Sequence, residues 1–294
     1  EKGNKTKNIF ADNLYKDIIN NSSNNSTVFN AVLQNLVDQK FPVNDDMKED
    51  AATIIKQIKS AYKSNYGDNY KDSLNQALTS AGYKNLSEYR QKMIKQIQYA
   101  NFLLDYIDDH FDDVFNDYYQ QCAPKYVSLI KISVSDTSSP TDDETSKLNE
   151  VKELISNTDK SFGDIAQDYS NDSTSSKKGS LGIVDSKDTS GIANSYGKDV
   201  FNAIEALSEG QVSDVITGDN GYYFVKVTST DKKTLKKELK KTDIDSPLLA
   251  YDDYLQYVVY NSYKINYKDK DIKKIVQEVV NKALEERKTE RGEA

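Results

Sequence analysis

The stretch from Ser161 to Val227 constrains the fold of this chain most. Phe162, Ile165, Ala166 and Tyr169 recur at the spacing of one helical face. A polar loop follows, closed by Gly179-Ser180-Leu181-Gly182, which reads as a turn. After a connection rich in Gly and Ser, a second helical stretch runs to Ser208-Glu209-Gly210, where the glycine suits a C-terminal cap. Val212 to Ile216 is short and β-prone. Gly218-Asp219-Asn220-Gly221 is a turn signal, and Tyr222-Tyr223-Phe224-Val225-Lys226-Val227 reads as a strand. Helices separated by turns and closed by a hairpin predict an α+β unit.

Four pieces of this stretch resemble the parvulin family of peptidyl-prolyl isomerases: Tyr169-Ser170-Asn171-Asp172, Gly179-Ser180-Leu181-Gly182, the run Ala206 to Ser213, and Gly221 to Val227. Val127-Ser128-Leu129-Ile130-Lys131-Ile132 is similar to the family's opening strand, so the resemblance extends over residues 124–230. It implies a small antiparallel sheet surrounded by helices, and catalysis of rotation about X-Pro bonds. That rotation faces a barrier of about 18–20 kcal/mol. No covalent bond breaks, so the catalyst needs an apolar slot for the proline ring, exclusion of water, and polar groups suited to a twisted amide.

In parvulins two histidines sit under the slot, near a Cys or Asp from the polar loop. Carried onto this chain, the histidine positions hold Leu129 and Tyr223, and the loop position holds Asp172. Asp172 is therefore the catalytic candidate. The slot positions fall on Leu181 and Val184, with Val200 or Phe201 from the next helix and Asn220 at the mouth. Leu129 neither donates nor accepts a hydrogen bond, and Tyr223 fills a different shape from an imidazole. Three readings stay open: a weak isomerase working through the slot and Asp172, a peptide-binding site without useful catalysis, and a structural relic whose slot is filled by side chains such as Tyr196.

The flanks read as helices. Phe10, Leu14 and Ile18 mark one face after a loose start over residues 1–8; Phe29, Val32, Leu33, Leu36 and Val37 mark a second helix, with Ser26 or Thr27 as its cap. Asn44 to Asp46 caps a stripe of Met47, Ala51, Ile54, Ile58 and Ala61. Leu74, Ala77 and Leu78 form a short helix. The longest helix carries Tyr89, Met93, Ile97, Ala100, Leu104 and Ile107, and a last one carries Val114, Phe115 and Tyr118 up to Pro124. Beyond Lys232, Ser246-Pro247 opens a helix through Leu248, Tyr251, Leu255, Val258 and Val259. Tyr263 to Tyr267 reads as extended, Ile272 to Ala283 as the final helix, and Glu285 to Ala294 as a charged tail.

Tyr66-Gly67-Asp68, Leu74 to Leu78, Ala81-Gly82-Tyr83 and Leu86 to Tyr89 are similar to the helical half of PrsA-type and SurA-type foldases. That resemblance implies a helical foldase or chaperone domain built from residues 1–123 and 233–294, with the parvulin-like domain, 124–232, inserted between them. It also implies a place outside the cytoplasm, on a lipid anchor at the outer face of a Gram-positive cell membrane, and unfolded or partly folded exported polypeptides as partners. The lipidated cysteine of such proteins is not in this sequence, and the oligomeric state, a homodimer included, stays open.

Composition narrows the alternatives. A formal charge of −8 argues against nucleic acid as a partner. A single cysteine, Cys122, allows no internal disulfide, and with a single histidine, His110, no Cys/His metal cluster or two-histidine mechanism is available. No metal or other cofactor is expected. No stretch approaches the roughly 20 apolar residues of a membrane span. The first residues, Glu1-Lys2-Gly3-Asn4, do not read as a signal peptide and fit a processed or trimmed terminus. The reading adopted is a binding foldase with an impaired isomerase-like domain. An active isomerase and a cell-surface structural protein are the competing classes.

Overall fold

The computed structural model describes residues 15, 18–240 and 243–293. Phe10, Leu14 and the loose start over 1–8 lie outside the described residues. Backbone contacts divide the chain into two units: Glu1–Asp109 with Asp253–Ala294, and His110–Asp252. The sequence reading places its boundaries at residues 123 and 232. The second unit is thus inserted in the sequence of the first.

The first unit is helical. Its helices are α1 (Asn25–Lys40), α2 (Asp45–Tyr66), α3 (Tyr70–Ser80) and α4 (Leu86–Asp109), joined by α11 (Leu255–Ser262) and α12 (Lys270–Glu290) from the far end of the chain. The Asn44 side chain caps α2, accepting from the Met47 N–H at 2.9 Å. Met47, Ala51 and Ile55 pack against Met93, Ile94 and Ile97 of α4. The expected stripe drifts: Ile54 and Ile58 are half-buried and Ala61 is exposed. Steps of four and three average 3.5 residues, which slips by about 20° per heptad on a straight helix. The C-terminal helices close onto the N-terminal ones through rings. Phe29 stacks on Tyr257 at 4.8 Å and meets Tyr260 edge-on at 5.2 Å, while Phe102 stacks on Tyr263 at 5.5 Å.

Three local expectations for these flanks are corrected. Helix α1 starts at Asn25 with Asn24 in the cap position, ahead of Ser26 and Thr27. Ser246-Pro247 caps only a single 3-10 turn, Pro247–Leu249, and a separate helix begins at Leu255. The chain turns inward between them to bury Tyr251 and Asp252. Tyr263 to Tyr267 is neither helix nor strand, and Tyr263 has extended backbone with φ −91° and ψ 139°. The charged tail stays helical to Glu290, because Glu, Lys and Arg are good helix formers and pairs such as Lys288–Glu285 at 2.9 Å lie along it.

The second unit contains α5 (Phe111–Cys122), β1 (Lys125–Ser133), α6 (Asp142–Asn157), α7 (Phe162–Tyr169), β2 (Ser180–Val184), α8 (Ile192–Tyr196), α9 (Lys198–Ala206), β3 (Ile216–Gly218), β4 (Gly221–Ser229) and α10 (Lys232–Leu239). The four strands form an antiparallel sheet in the order β2-β1-β4-β3. Alternation along β1 and β4 supplies both faces. Val127, Leu129, Tyr223 and Val225 face Ile192, Val200 and Ile204 of α8 and α9. Ile130, Ile132 and Phe224 face Leu148 and Val151 of α6 and Phe162, Ile165 and Ala166 of α7. Helices on both faces of an antiparallel sheet match the expected α+β class.

The run Gly179-Ser180-Leu181-Gly182 is a turn only at its first residue; from Ser180 on it is strand β2. Gly179 has φ +75°, and its carbonyl accepts from the Leu129 N–H at 2.8 Å. A Cβ there would lie 2.4 Å from the Leu129 carbonyl oxygen, so only glycine fits the approach. The second helical stretch ends at Ala206, before Gly210. The connection between β2 and α9 hides the short helix α8, and the polar loop after β1 gives way to α6 at Asp142, where Thr141 and Glu144 form a capping box.

Candidate functional site

On the α8–α9 side of the sheet, a cleft of about 440 Å³ opens between the end of α8 and the β3–β4 hairpin. Tyr196, Gly197 and Val200 form one wall, and Ile216, Asn220 and Tyr223 the other. The hairpin register makes this wall. Ile216 pairs with Tyr223 and Gly218 with Gly221, which leaves Asp219 and Asn220 at the tip. Gly218 is what lets the Tyr223 ring lie across β3, since a Cβ at 218 would stand 2.7 Å from that ring.

The two tyrosines meet edge to face, with ring centroids 6.2 Å apart. Each phenol is engaged inside the site. Tyr223 donates to Asn220 Oδ1 at 2.6 Å, and Tyr196 donates to Asp172 Oδ1 at 3.4 Å. On β1, Lys131 is the register partner of Tyr223 and holds its ammonium 5.7 Å from the ring centroid, a cation–π distance. Burial, then the charge of Asp172 and its hydrogen bond, push the Tyr196 phenol up to about 12. Burial likewise raises Tyr223, helped by the charges of Asp172 and Asp219. Both rings are therefore neutral hydrogen-bond donors near pH 7.

The residues singled out from the sequence separate here. Tyr223, Val200 and Asn220 line the cleft. Asp172 reaches it through Tyr196, but its Oδ1 also caps the turn that follows, accepting from the Thr174 N–H at 2.9 Å and the Thr174 hydroxyl at 2.7 Å. Leu129 and Val184 are 0% exposed and offer no surface to a ligand. Leu181 and Phe201 pack half-buried against the same core rather than along the cleft. Lys131, Gly218 and Asp219 were not singled out as site residues. The opposition of Lys131 and Tyr223 follows only from the β1–β4 register. Among the described residues, no group of three or more His, Cys, Asp or Glu side chains could hold a metal ion. No described helix is long and apolar enough to cross a membrane.

The arrangement offers two rings to an apolar side chain and sets polar groups around the opening, the Asn220 amide and the exposed Lys198, Asp199 and Asp219 among them. The Rotamase family, the PPIC-type PPIASE domain, matches residues 129–229. "Foldase protein PrsA" of Staphylococcus epidermidis is 32% identical over 141 residues, 46% of this chain and 41% of that protein. The Staphylococcus aureus protein of the same name is also 32% identical over 141 residues, 46% of this chain and 41% of that protein. The matched stretch thus spans less than half the length of these relatives. Among solved structures, PrsA from Bacillus subtilis is 21% identical, with a TM-score of 0.44 over 90% of this chain and 93% of that one. The foldase protein PrsA from Streptococcus pneumoniae is 20% identical, with a TM-score of 0.42 over 93% of this chain and 97% of that one. The chain carries a PPIC-type peptidyl-prolyl isomerase domain over residues 129–229 and is similar to the PrsA foldase proteins.

Proposed function

We propose that this protein is an extracytoplasmic foldase that binds unfolded or partly folded exported polypeptides, and that its PPIC-type domain has weak or no isomerase activity. The helical parts, residues 1–123 and 233–294, serve as the chaperone module, and 124–232 as a parvulin-like peptide-binding module. Its place is the outer face of a Gram-positive membrane, on a lipid anchor.

One observation carries the reading of the site. Both phenol hydrogens in the cleft are already given to Asn220 and Asp172, and Leu129, where the parvulin resemblance puts a histidine, is a buried hydrocarbon. A twisted amide entering this cleft finds both phenols committed, and the other donors that line it, Asn194, Ser195, Lys198 and Thr217, are exposed to water, so little stabilisation is preorganised for the transition state. Binding of apolar and aromatic side chains needs no such preorganisation.

The test runs two assays on the full chain. Suppression of aggregation of a denatured client, with no acceleration of cis-to-trans relaxation of an X-Pro peptide in a protease-coupled assay, is the expected pair of results. Acceleration equal to that of an active parvulin control, reduced by Asp172→Ala, overturns the proposal and selects the isomerase. Inactivity in both assays overturns it in favour of a structural role.

A further inference from the structure

A second concavity, of about 500 Å³, lies in the helical unit between α2 and the start of α4. Its floor is apolar: Ala52, Ile55 and Leu86. Its rim is cationic: Lys56, Lys59 and Arg90. Ala52, Ile55, Lys56 and Lys59 follow the i, i+3, i+4, i+7 spacing of one helix face, so the floor and half the rim come from a single stripe of α2. Arg90 enters from α4 and donates to the Lys48 carbonyl at 3.3 Å, which holds its guanidinium beside α2.

No acidic side chain lines this groove. Beyond the lining, the exposed Glu49 lies one turn before Ala52 on the same helix, while two other acids are engaged locally. Asp45 pairs with Lys48 at 2.8 Å, and Glu88 accepts from the Lys84 N–H at 2.6 Å. In a chain of formal charge −8, three cations around an apolar floor are a local reversal of sign. No carboxylate stands among the groove's own lining residues, which is the electrostatic condition for drawing in an anionic partner.

We propose that this groove is a docking site for acidic, apolar polypeptide segments: one aliphatic or aromatic side chain enters over Ile55 and Leu86, and flanking Asp or Glu side chains pair with Lys56, Lys59 and Arg90. The proposal rests on the reading of the helical unit as a polypeptide-binding module and names the segment it prefers. The shape favours a peptide over a membrane surface. Ile55 is only 7% exposed and Leu86 is half-buried, so the floor presents no protruding apolar group. A bilayer-binding face needs the opposite relief, with large apolar groups protruding into the lipid.

The experiment uses the full chain and two fluorescent twelve-residue peptides, one alternating Leu with Glu and the other Leu with Lys. The acidic peptide is expected to bind, and the basic one at least tenfold more weakly. Reversing the rim in K56E/K59E/R90E is expected to weaken the acidic peptide about tenfold or more, and raising salt from 50 to 500 mM to weaken it severalfold. All three are exposed side chains, so the fold survives and circular dichroism stays unchanged. Ala52→Glu, on the exposed part of the floor, is a second route to the same loss. Equal binding of both peptides, or an unaltered affinity in both variants, overturns the proposal. So does binding only to phosphatidylcholine–phosphatidylglycerol vesicles. Client protection by the wild-type chain separates the two failures: if protection persists while the peptide does not bind, this groove is wrong and the foldase reading stands; if protection is absent, the foldase reading itself falls.

Discussion

Replacing Asp185 tests whether one buried carboxylate holds the cleft wall to the rest of its unit. Asp185 is 0% exposed and accepts from the Tyr118 hydroxyl at 2.8 Å, the Lys187 N–H at 3.0 Å, the Thr189 N–H at 3.3 Å and the Thr189 hydroxyl. Tyr118 lies on α5 and is itself fully buried, so its hydroxyl has no water to turn to. Lys187 and Thr189 are at least partly exposed and regain water when the carboxylate is gone. Stranding one buried donor costs about 1–3 kcal/mol, and the lost charge-assisted bonds to the loop add to it. Asp185→Ala is therefore expected to cost about 3 kcal/mol, on the order of 2–5. Tyr118→Phe removes one bond and leaves the carboxylate three donors, for about 1.5 kcal/mol. The same loop carries Asp188, which caps α8 by accepting from the Ile192 and Ala193 N–H groups at 2.6 and 2.9 Å. Loosening it frees the helix that presents Tyr196. Urea unfolding of both variants, followed by circular dichroism, gives the two losses, and amide hydrogen exchange at Lys187 and Thr189 reports the loop. A loss below about 1 kcal/mol for Asp185→Ala, or one no larger than that of Tyr118→Phe, refutes the reasoning.

Two further outcomes concern pH. The Glu144 carboxylate accepts from the Thr141 and Ser135 N–H groups at 2.7 and 2.8 Å, and these backbone bonds lower it to about 2; its cap contribution is complete above the ordinary carboxylate value and fades as pH falls through about 2, which carboxyl NMR titration checks, with a midpoint at the ordinary value refuting it. Asp172→Asn removes a charge and weakens an acceptor beside Tyr196 but leaves its burial, the larger cause, so in absorbance titration of the phenols Tyr196 should ionise somewhat earlier than about 12 yet still later than an ordinary tyrosine, whereas an unmoved titration refutes the Asp172 contact.

What the sequence revealed and what it hid divide along physical lines. The two faces of β1 were legible because a strand alternates regardless of its neighbours: Val127 and Leu129 went one way, Ile130 and Ile132 the other. The core face of α4 was legible in the same local sense through Met93, Ile97, Leu104 and Ile107. Helix α8 was hidden in a stretch of Gly and Ser, because it is nucleated by the Asp188 side chain and by the packing of Ile192 rather than by a periodic stripe. The depth of Val184 was hidden because alternation says which side a residue faces and not what layer lies on it.

The pairings that define the cleft are of a third kind. Asp172 and Tyr196 are 24 positions apart, and only the closure of α8 over the sheet brings them together. Gly218, by contrast, was visible as a turn residue but for an incomplete reason. A glycine at that position suits the turn, yet the space it leaves is also what the Tyr223 ring occupies. A Cβ at 218 would stand 2.7 Å from that ring, so the ring or the hairpin would have to shift, and with it the contacts to Asn220 and Lys131. The Tyr223 phenol therefore depends on a neighbour with no side chain. The place of the Tyr223 ring is thus set both by the tyrosine and by the glycine at 218 that leaves it room.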